Sequence, residues 1–154
     1  MTLYVDADAC PAIRMIEITA AAFHVPVVLL CDEHHVLTSD TSRIVTVASG
    51  RDAVDLALVN RCSRGDLVIT QDYGVAALAL GKGAYALNPS GKQYTDENIS
   101  GLLMDRHLAG KARRSGKHHL RGPARRTEED DRRLRESLER LLREKTSMEE
   151  EADR

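Results

Sequence analysis

The sequence predicts an α/β fold: a three-layer α/β/α domain built on a mostly parallel sheet of about five strands. Three observations carry that prediction. Short β-branched apolar runs alternate with stretches of helical periodicity. One run, Val25-Pro-Val-Val-Leu-Leu-Cys31, is apolar almost throughout, as in a strand covered by helices on both faces. Two of the runs close on an aspartate, Asp6 directly and Asp72 after Gln71.

Thr2 to Val5 is the first strand, followed by Asp6-Ala7-Asp8-Ala9-Cys10-Pro11. Pro11 suits the first turn of a helix over Ala12–Phe23, with Ile13, Ile16 and Ala20 on one stripe. After the second strand comes a polar loop, Asp32–Arg43, whose His34 and His35 read as surface residues. Ile44–Val47 is a third strand, Arg51–Cys62 a helix, and Leu67–Thr70 a fourth strand. A short helix over Gly74–Leu80 leads to a fifth strand, Ala84–Leu87. Thr95 and Asn98 open a further helix that carries Ile99, Leu102 and Leu103. Lys111–Arg126 has no apolar period and reads as a basic arm. Thr127-Glu-Glu-Asp130 has the form of a capping box, with Asp in the place of Glu or Gln. It opens a helix with Leu134, Leu138, Leu141 and Leu142 on one face. The expected organisation is a domain at 1–109, the arm at 110–126, a helix packed on the domain at 127–145, and a disordered tail at 146–154.

Composition narrows the class of protein. With one Phe and no Trp among 154 residues, the core must be aliphatic. No stretch has the apolar length of a membrane span, so no membrane partner is expected. The chain starts on a strand rather than on a basic and then apolar leader, and its three cysteines are scattered. A reduced, cytoplasmic setting is expected. The net charge of −2 hides three blocks: −5 over residues 1–104, +7 over 105–126 and −4 over 127–154. The central block is a candidate polyanion site.

In sheets of this kind ligands bind at the carboxyl ends of the strands. That rule gathers Asp6 and Asp8 after the first strand and Asp72 after the fourth. Asp52 and Asp55, in the first turns of the helix after the third strand, begin at the same edge. Strand alternation lets Asp6 and Asp8 face one point. Each acid alone has a structural explanation: Asp8 and Asp52 as helix-end acids, Asp55 as helix surface. Several acids on one edge repel, and a cation relieves that repulsion. All-oxygen ligands point to Mg²⁺ or Mn²⁺, which suit phosphoryl chemistry. Thr70 could hold a ligand through its hydroxyl, or could be a strand threonine.

VDADACP at 5–11, GRDAVDLAL at 50–58, GDLVITQDYG at 65–74, KGAYALNPSGKQYTDENI at 82–99 and RGPARRTEED at 121–130 resemble, in order, the uncharacterised bacterial YaiI/YqxD family. That family is similar to the PIN-like nuclease superfamily. There, a strand-one Asp, an acid on a middle helix and the Asp of a Thr-x-Asp segment hold Mg²⁺ or Mn²⁺. The resemblance carries this pattern onto Asp6, Asp55 and Thr70-Gln71-Asp72, with Asp6, Asp55 and Asp72 as the implied metal ligands. Asp8 is expected to join them in catalysis and Asp52 and Thr70 to support them; Asp8 and Asp52 belong to the narrower family's motifs. Tyr73 and Gly74, not a fourth acid, follow Asp72.

Lys111, Arg113, Arg114, Lys117, Arg121, Arg125 and Arg126 are interleaved with Gly, Pro and His, without Phe, Tyr or Trp. Phosphate contact explains such an arm better than base stacking. The reading is a Mg²⁺- or Mn²⁺-dependent nuclease in which metal-activated water attacks a phosphodiester, with RNA as the substrate implied by the resemblance. Oligomeric state is left open, a homo-oligomer included. Two alternatives stand beside it. One is a haloacid-dehalogenase-like phosphatase with Asp6 as nucleophile and Asp8 as acid/base. The other is a non-catalytic nucleic-acid-binding module.

Overall fold

The computed structural model describes residues 1–50, 52–115 and 125–154, the side chains of 112–115 excepted. A six-stranded sheet forms the middle layer, in the order β3-β2-β1-β4-β5-β6. Its strands are β1 (Leu3–Asp6), β2 (Val27–Asp32), β3 (Arg43–Val47), β4 (Leu67–Ile69), β5 (Tyr85–Leu87) and β6 (Gln93–Tyr94). All neighbours pair in parallel except β5 and β6.

Alternation along the strands builds two cores. Leu3 and Val5 of β1, Val27, Leu29 and Cys31 of β2, and Leu67 and Ile69 of β4 face one side. There they meet Ile16 and Ala20 of α1 (Ile13–Ala22) and Leu134, Leu138, Leu141 and Leu142 of α5 (Glu128–Ala152). Tyr4, Val28, Leu30 and Val68 face the other side, against Leu58 of α2 (Ala53–Arg61) and Val75 and Ala79 of α3 (Tyr73–Gly81). α4 (Asp96–Ser115) lies against α3, where Ile99 and Leu102 meet Ala76, Ala77 and Leu80. The result is the α/β/α arrangement the sequence predicts. Among the described residues no helix is long and apolar enough to cross a membrane.

Reciprocal side-chain caps fix two helix starts. Thr127 accepts from the Asp130 amide while Asp130 accepts from the Thr127 amide, completing the capping box. Thr95 and Asn98 make the same reciprocal pair ahead of α4.

Four local expectations are corrected. The helix after β1 starts at Ile13, and Pro11 lies in the turn before it. α4 continues to Ser115, so the first residues of the supposed basic arm at 110–126 are helical; residues 116–124 lie outside the described residues. α5 runs to Ala152, so the segment from Thr146 that was expected to be disordered is mostly helix. The Thr146 hydroxyl donates to the Leu142 carbonyl at 2.6 Å within it. β6 is an added antiparallel edge strand, too short to leave a periodic signal.

The loop between β5 and β6 receives α5. Gly91 has φ +93°, a backbone that disfavours any side chain, and a Cβ there would lie 2.5 Å from the Arg133 carbonyl carbon. The Ser137 hydroxyl donates to the Gly91 carbonyl at 2.6 Å.

Candidate functional site

Strand order reverses at β1: β2 lies on one side of it and β4 on the other. Ligand crevices of open α/β sheets form at such a switch point. A cavity of about 660 Å³ lies here, lined by Asp6, Asp55, Asp72, Asp105 and Arg106 among others.

Each acid arrives by a different route. Asp6 is the last residue of β1, and the alternation that sends Leu3 and Val5 to the α1/α5 core sends Tyr4 and Asp6 the other way, towards α2. Asp55 lies in the first turn of α2. Asp72 caps α3, its Oδ1 accepting from the Val75 amide at 3.0 Å. The Asp72 amide donates to the Thr70 hydroxyl at 3.0 Å. Thr70 is buried, so its hydroxyl braces the turn that presents Asp72. Behind it, Tyr94 donates to the Thr70 carbonyl at 3.1 Å and accepts from Asn88 Nδ2 at 2.7 Å. Gln71 Nε2 donates to the Ala9 carbonyl at 2.8 Å, tying the turns after β4 and β1 together. A Cβ on Gly74 would approach Asp72 Oδ1 to 3.1 Å, tight against the capping carboxylate.

Electrostatics reflect the crowding. Burial first, then the charges of Asp55 and Asp8, push the Asp6 carboxyl up to about 6, against hydrogen bonds from the Asp8 and Ala9 amides. Burial, with Asp72 and Asp52, also raises Asp55, while Arg106 opposes the rise. Arg106 Nη1 stands 3.7 Å from Asp72 Oδ1, an ion pair longer than a hydrogen bond.

Asp105 was not singled out from the sequence, and Arg106 was counted only among the cations of the 105–126 block. Leu102, Asp105, Arg106 and Ala109 all line the cavity, at the i, i+3, i+4, i+7 spacing of one helix face. That spacing was the available signal, but the apolar stripe was read only as far as Leu103.

Other expected site residues lie elsewhere. Asp8 does not line the cavity. β1 ends at Asp6, so strand alternation stops before Asp8, which turns towards the end of β2. Its Oδ2 accepts from the Asp32 amide at 3.0 Å, and its Oδ1 lies 3.1 Å from His35 Nδ1. His35 also contacts Asp32 Oδ1 at 2.8 Å, and its pKa is raised by that bond and by the Asp8 and Asp32 charges. One ring nitrogen of His35 thus faces both carboxylates. Asp52 precedes α2 in a left-handed conformation, φ +65°, without a capping side-chain bond, and acts on the cavity only through its charge on Asp55. Of the basic set, Lys111 and Arg125 are exposed. Arg126 is partly engaged within the fold: its Nε bonds Asp131 at 2.8 Å and its Nη1 the Pro89 carbonyl at 2.7 Å. The side chains of Arg113 and Arg114, and Lys117 and Arg121 altogether, lie outside the described residues.

A family model described as "Uncharacterized BCR, YaiI/YqxD family" matches residues 4–144. The chain belongs to the YaiI/YqxD family. Among its relatives, a UPF0178 protein of Clostridium acetobutylicum is 55% identical over 143 residues, covering 92% of this chain and 97% of its own. One from Clostridium tetani is 52% identical over 138 residues, covering 90% and 94%. No solved structure matches the chain. The YaiI/YqxD match spans every element that lines the acidic cavity, from β1 to α4, and most of α5.

Proposed function

We propose that this protein is a Mg²⁺- or Mn²⁺-dependent phosphodiesterase that cleaves RNA, on a PIN-like nuclease plan. The observation that carries the reading is the meeting of Asp6, Asp55 and Asp72, from three separate elements, in one cavity at the switch point of the sheet. With Asp105 they set four carboxylates against the one guanidinium, that of Arg106, that lines the cavity among the described residues. Such an excess of like charge is costly unless a cation relieves it.

The donor set fits a hard divalent cation: the ionisable groups on the wall are carboxylates, with no Cys or His among them in the described residues. Asp6, Asp55 and Asp72 would hold it, with Asp105 close by. When bound, such a cation supplies Lewis acidity and lowers the pKa of water. The chain's own residues do the rest. Asp72 is held by Val75 and Thr70, so it enters the site already oriented. Asp6, whose carboxyl stands near 6 without a cation, would give up that proton on taking one. Arg106, at the cavity mouth, offers a fork of donors to a phosphate.

A covalent aspartyl-phosphate route is less well supported. It calls for a lysine beside Asp6, and none lines the cavity among the described residues. The test is cleavage of labelled RNA by purified protein with Mn²⁺, with chelator, and with Asp72→Asn. Cleavage that requires both the metal and Asp72 supports the reading. Cleavage unchanged in Asp72→Asn assigns it to a contaminant and sinks it. No cleavage, with RNA binding unchanged in Asp72→Asn, leaves a binding module in its place.

A further inference from the structure

We infer that the ligand of this groove is a single-stranded nucleic acid and that Tyr73 is the platform on which one of its bases stacks. The inference rests on the phosphodiesterase reading for the kind of polymer and adds the strandedness and the residue that reads it. The acidic cavity does not end at Tyr73. A second cavity of about 370 Å³ lies beyond it, reaching Pro11, Asn88 and Pro89. Gln71 and Tyr73 line both hollows, so they form the saddle of one longer groove.

The saddle is rigid and aromatic. Tyr73 is half-buried and forms a T-shaped pair with Tyr94, 5.8 Å between centroids and 67° between planes. Tyr94 is 1% exposed and fixed by Asn88 and Thr70. Gln71 is fixed by the Ala9 carbonyl. Tyr73 and Asp72 both line the acidic cavity, so the ring shares its wall with the carboxylate that the phosphodiesterase reading places at the reacting phosphate. Arg106 lines the wall on that same side, 3.7 Å from Asp72 and half exposed, within reach of a backbone phosphate. A phosphate-binding arginine next to an aromatic ring is the arrangement that takes an unstacked nucleotide. A duplex, with its bases stacked inside, has none to offer. The basic stretch of the sequence lacks aromatics, whereas the groove supplies one from α3.

The experiment measures binding, not cleavage. The probe is a fluorescein-labelled 2′-O-methyl phosphorothioate RNA of about a dozen nucleotides, in Mn²⁺, as a single strand and annealed to its complement. Tyr73→Leu keeps apolar bulk against Tyr94 and removes the aromatic face; Tyr73→Phe keeps both. The leucine variant is expected to bind the single strand about 5- to 150-fold more weakly, the phenylalanine variant like wild type, and neither to change duplex binding. The protein has no tryptophan. Tyr73→Trp therefore gives a second readout: single strand quenches its fluorescence and duplex does not. Wild-type affinity in Tyr73→Leu, equal losses on single strand and duplex, or no quenching of the tryptophan would each overturn the inference. Cleavage activity with binding independent of Tyr73 sinks this inference alone. Tyr73-dependent binding without metal-dependent cleavage sinks the preceding one alone.

Discussion

Replacing Asp6 by Asn should make the protein more stable in the absence of divalent metal. In the fold Asp6 titrates at about 6, against 3.8 for an ordinary Asp carboxyl. The folded state therefore holds this proton more tightly than the unfolded state does. As pH rises from about 4 to about 6 the unfolded chain loses the proton first, and folding becomes less favourable; above about 6 the penalty is complete. At 1.36 kcal/mol per pH unit the full gap is worth roughly 3 kcal/mol. Asp6 keeps some contact with solvent, and screening reduces the figure to about 1–2 kcal/mol. For a chain of this length that corresponds to a rise in Tm of about 2–8 °C. Thermal melts of wild type and Asp6→Asn in chelator, from pH 4 to 8, should converge at the acid end and separate above pH 6. Addition of Mn²⁺ should reverse the order, because a cation at 100 times its Kd stabilises the wild type by about 2.7 kcal/mol and the variant much less. A difference in Tm that ignores pH, or equal shifts with Mn²⁺, would refute the assignment of Asp6 to a crowded cation site.

Three further outcomes are expected. Gly91→Ala places a methyl against the Arg133 backbone at a positive φ, so urea denaturation should show a loss of about 2–4 kcal/mol, and a loss below about 0.5 kcal/mol would mean α5 does not press on this turn. Burial raises the Glu17 carboxyl, but the hydroxyls of Ser39, Ser42 and Thr41 outweigh it and hold the group below 4.5. Its contribution is present above pH 4.5 and is lost as pH falls through the folded value, so Glu17→Gln should cost about 1–3 kcal/mol at pH 7 and progressively less in acid; a cost that does not shrink there would contradict the charge-based account. Replacing Arg113 and Arg114 by Ala should flatten the dependence of log K on log salt for single-stranded RNA by about 1.4 if both meet phosphates; an unchanged slope removes them from the interface.

The sheet was readable because its strands bear the marks of burial on both faces. Val25–Cys31 had to lie under helices, and the strand-end rule then put Asp6, Asp55 and Asp72 at one edge without any knowledge of distances. What the sequence concealed depended on where elements stop. Asp8 left the set because β1 ends two residues before it, and alternation predicts nothing beyond a strand's last hydrogen bond. The place of Asp105 and Arg106 on the cavity wall was hidden because α4 grows polar as it leaves α3, and its continuation to Ser115 draws on helix propensity more than on an apolar stripe. The charge of Arg126 suggested a ligand, while its partners, Asp131 and the Pro89 carbonyl, are set by how α5 meets the β5–β6 loop. The reciprocal caps at Thr95 and Thr127 were legible because capping is local, with both partners three residues apart.

The placement of α5 has a consequence for how the chain reaches this state. Leu134, Leu138, Leu141 and Leu142 cover the same sheet face as α1, and Met1 meets Glu149 across 148 residues of sequence. While the chain is being synthesised, β1, β2 and β4 can pair and α1 can dock, yet part of the apolar face of the sheet stays bare until α5 emerges from the ribosome. Leu3, Val5, Leu29, Leu67 and Ile69 are all fully or almost fully buried on that face in the finished fold. During that interval the nascent protein presents a β-rich, aliphatic surface, the kind that chaperones hold and that associates between neighbouring chains. A ribosome paused ahead of codon 128 would prolong that exposure, making translation speed over the preceding segment a determinant of yield.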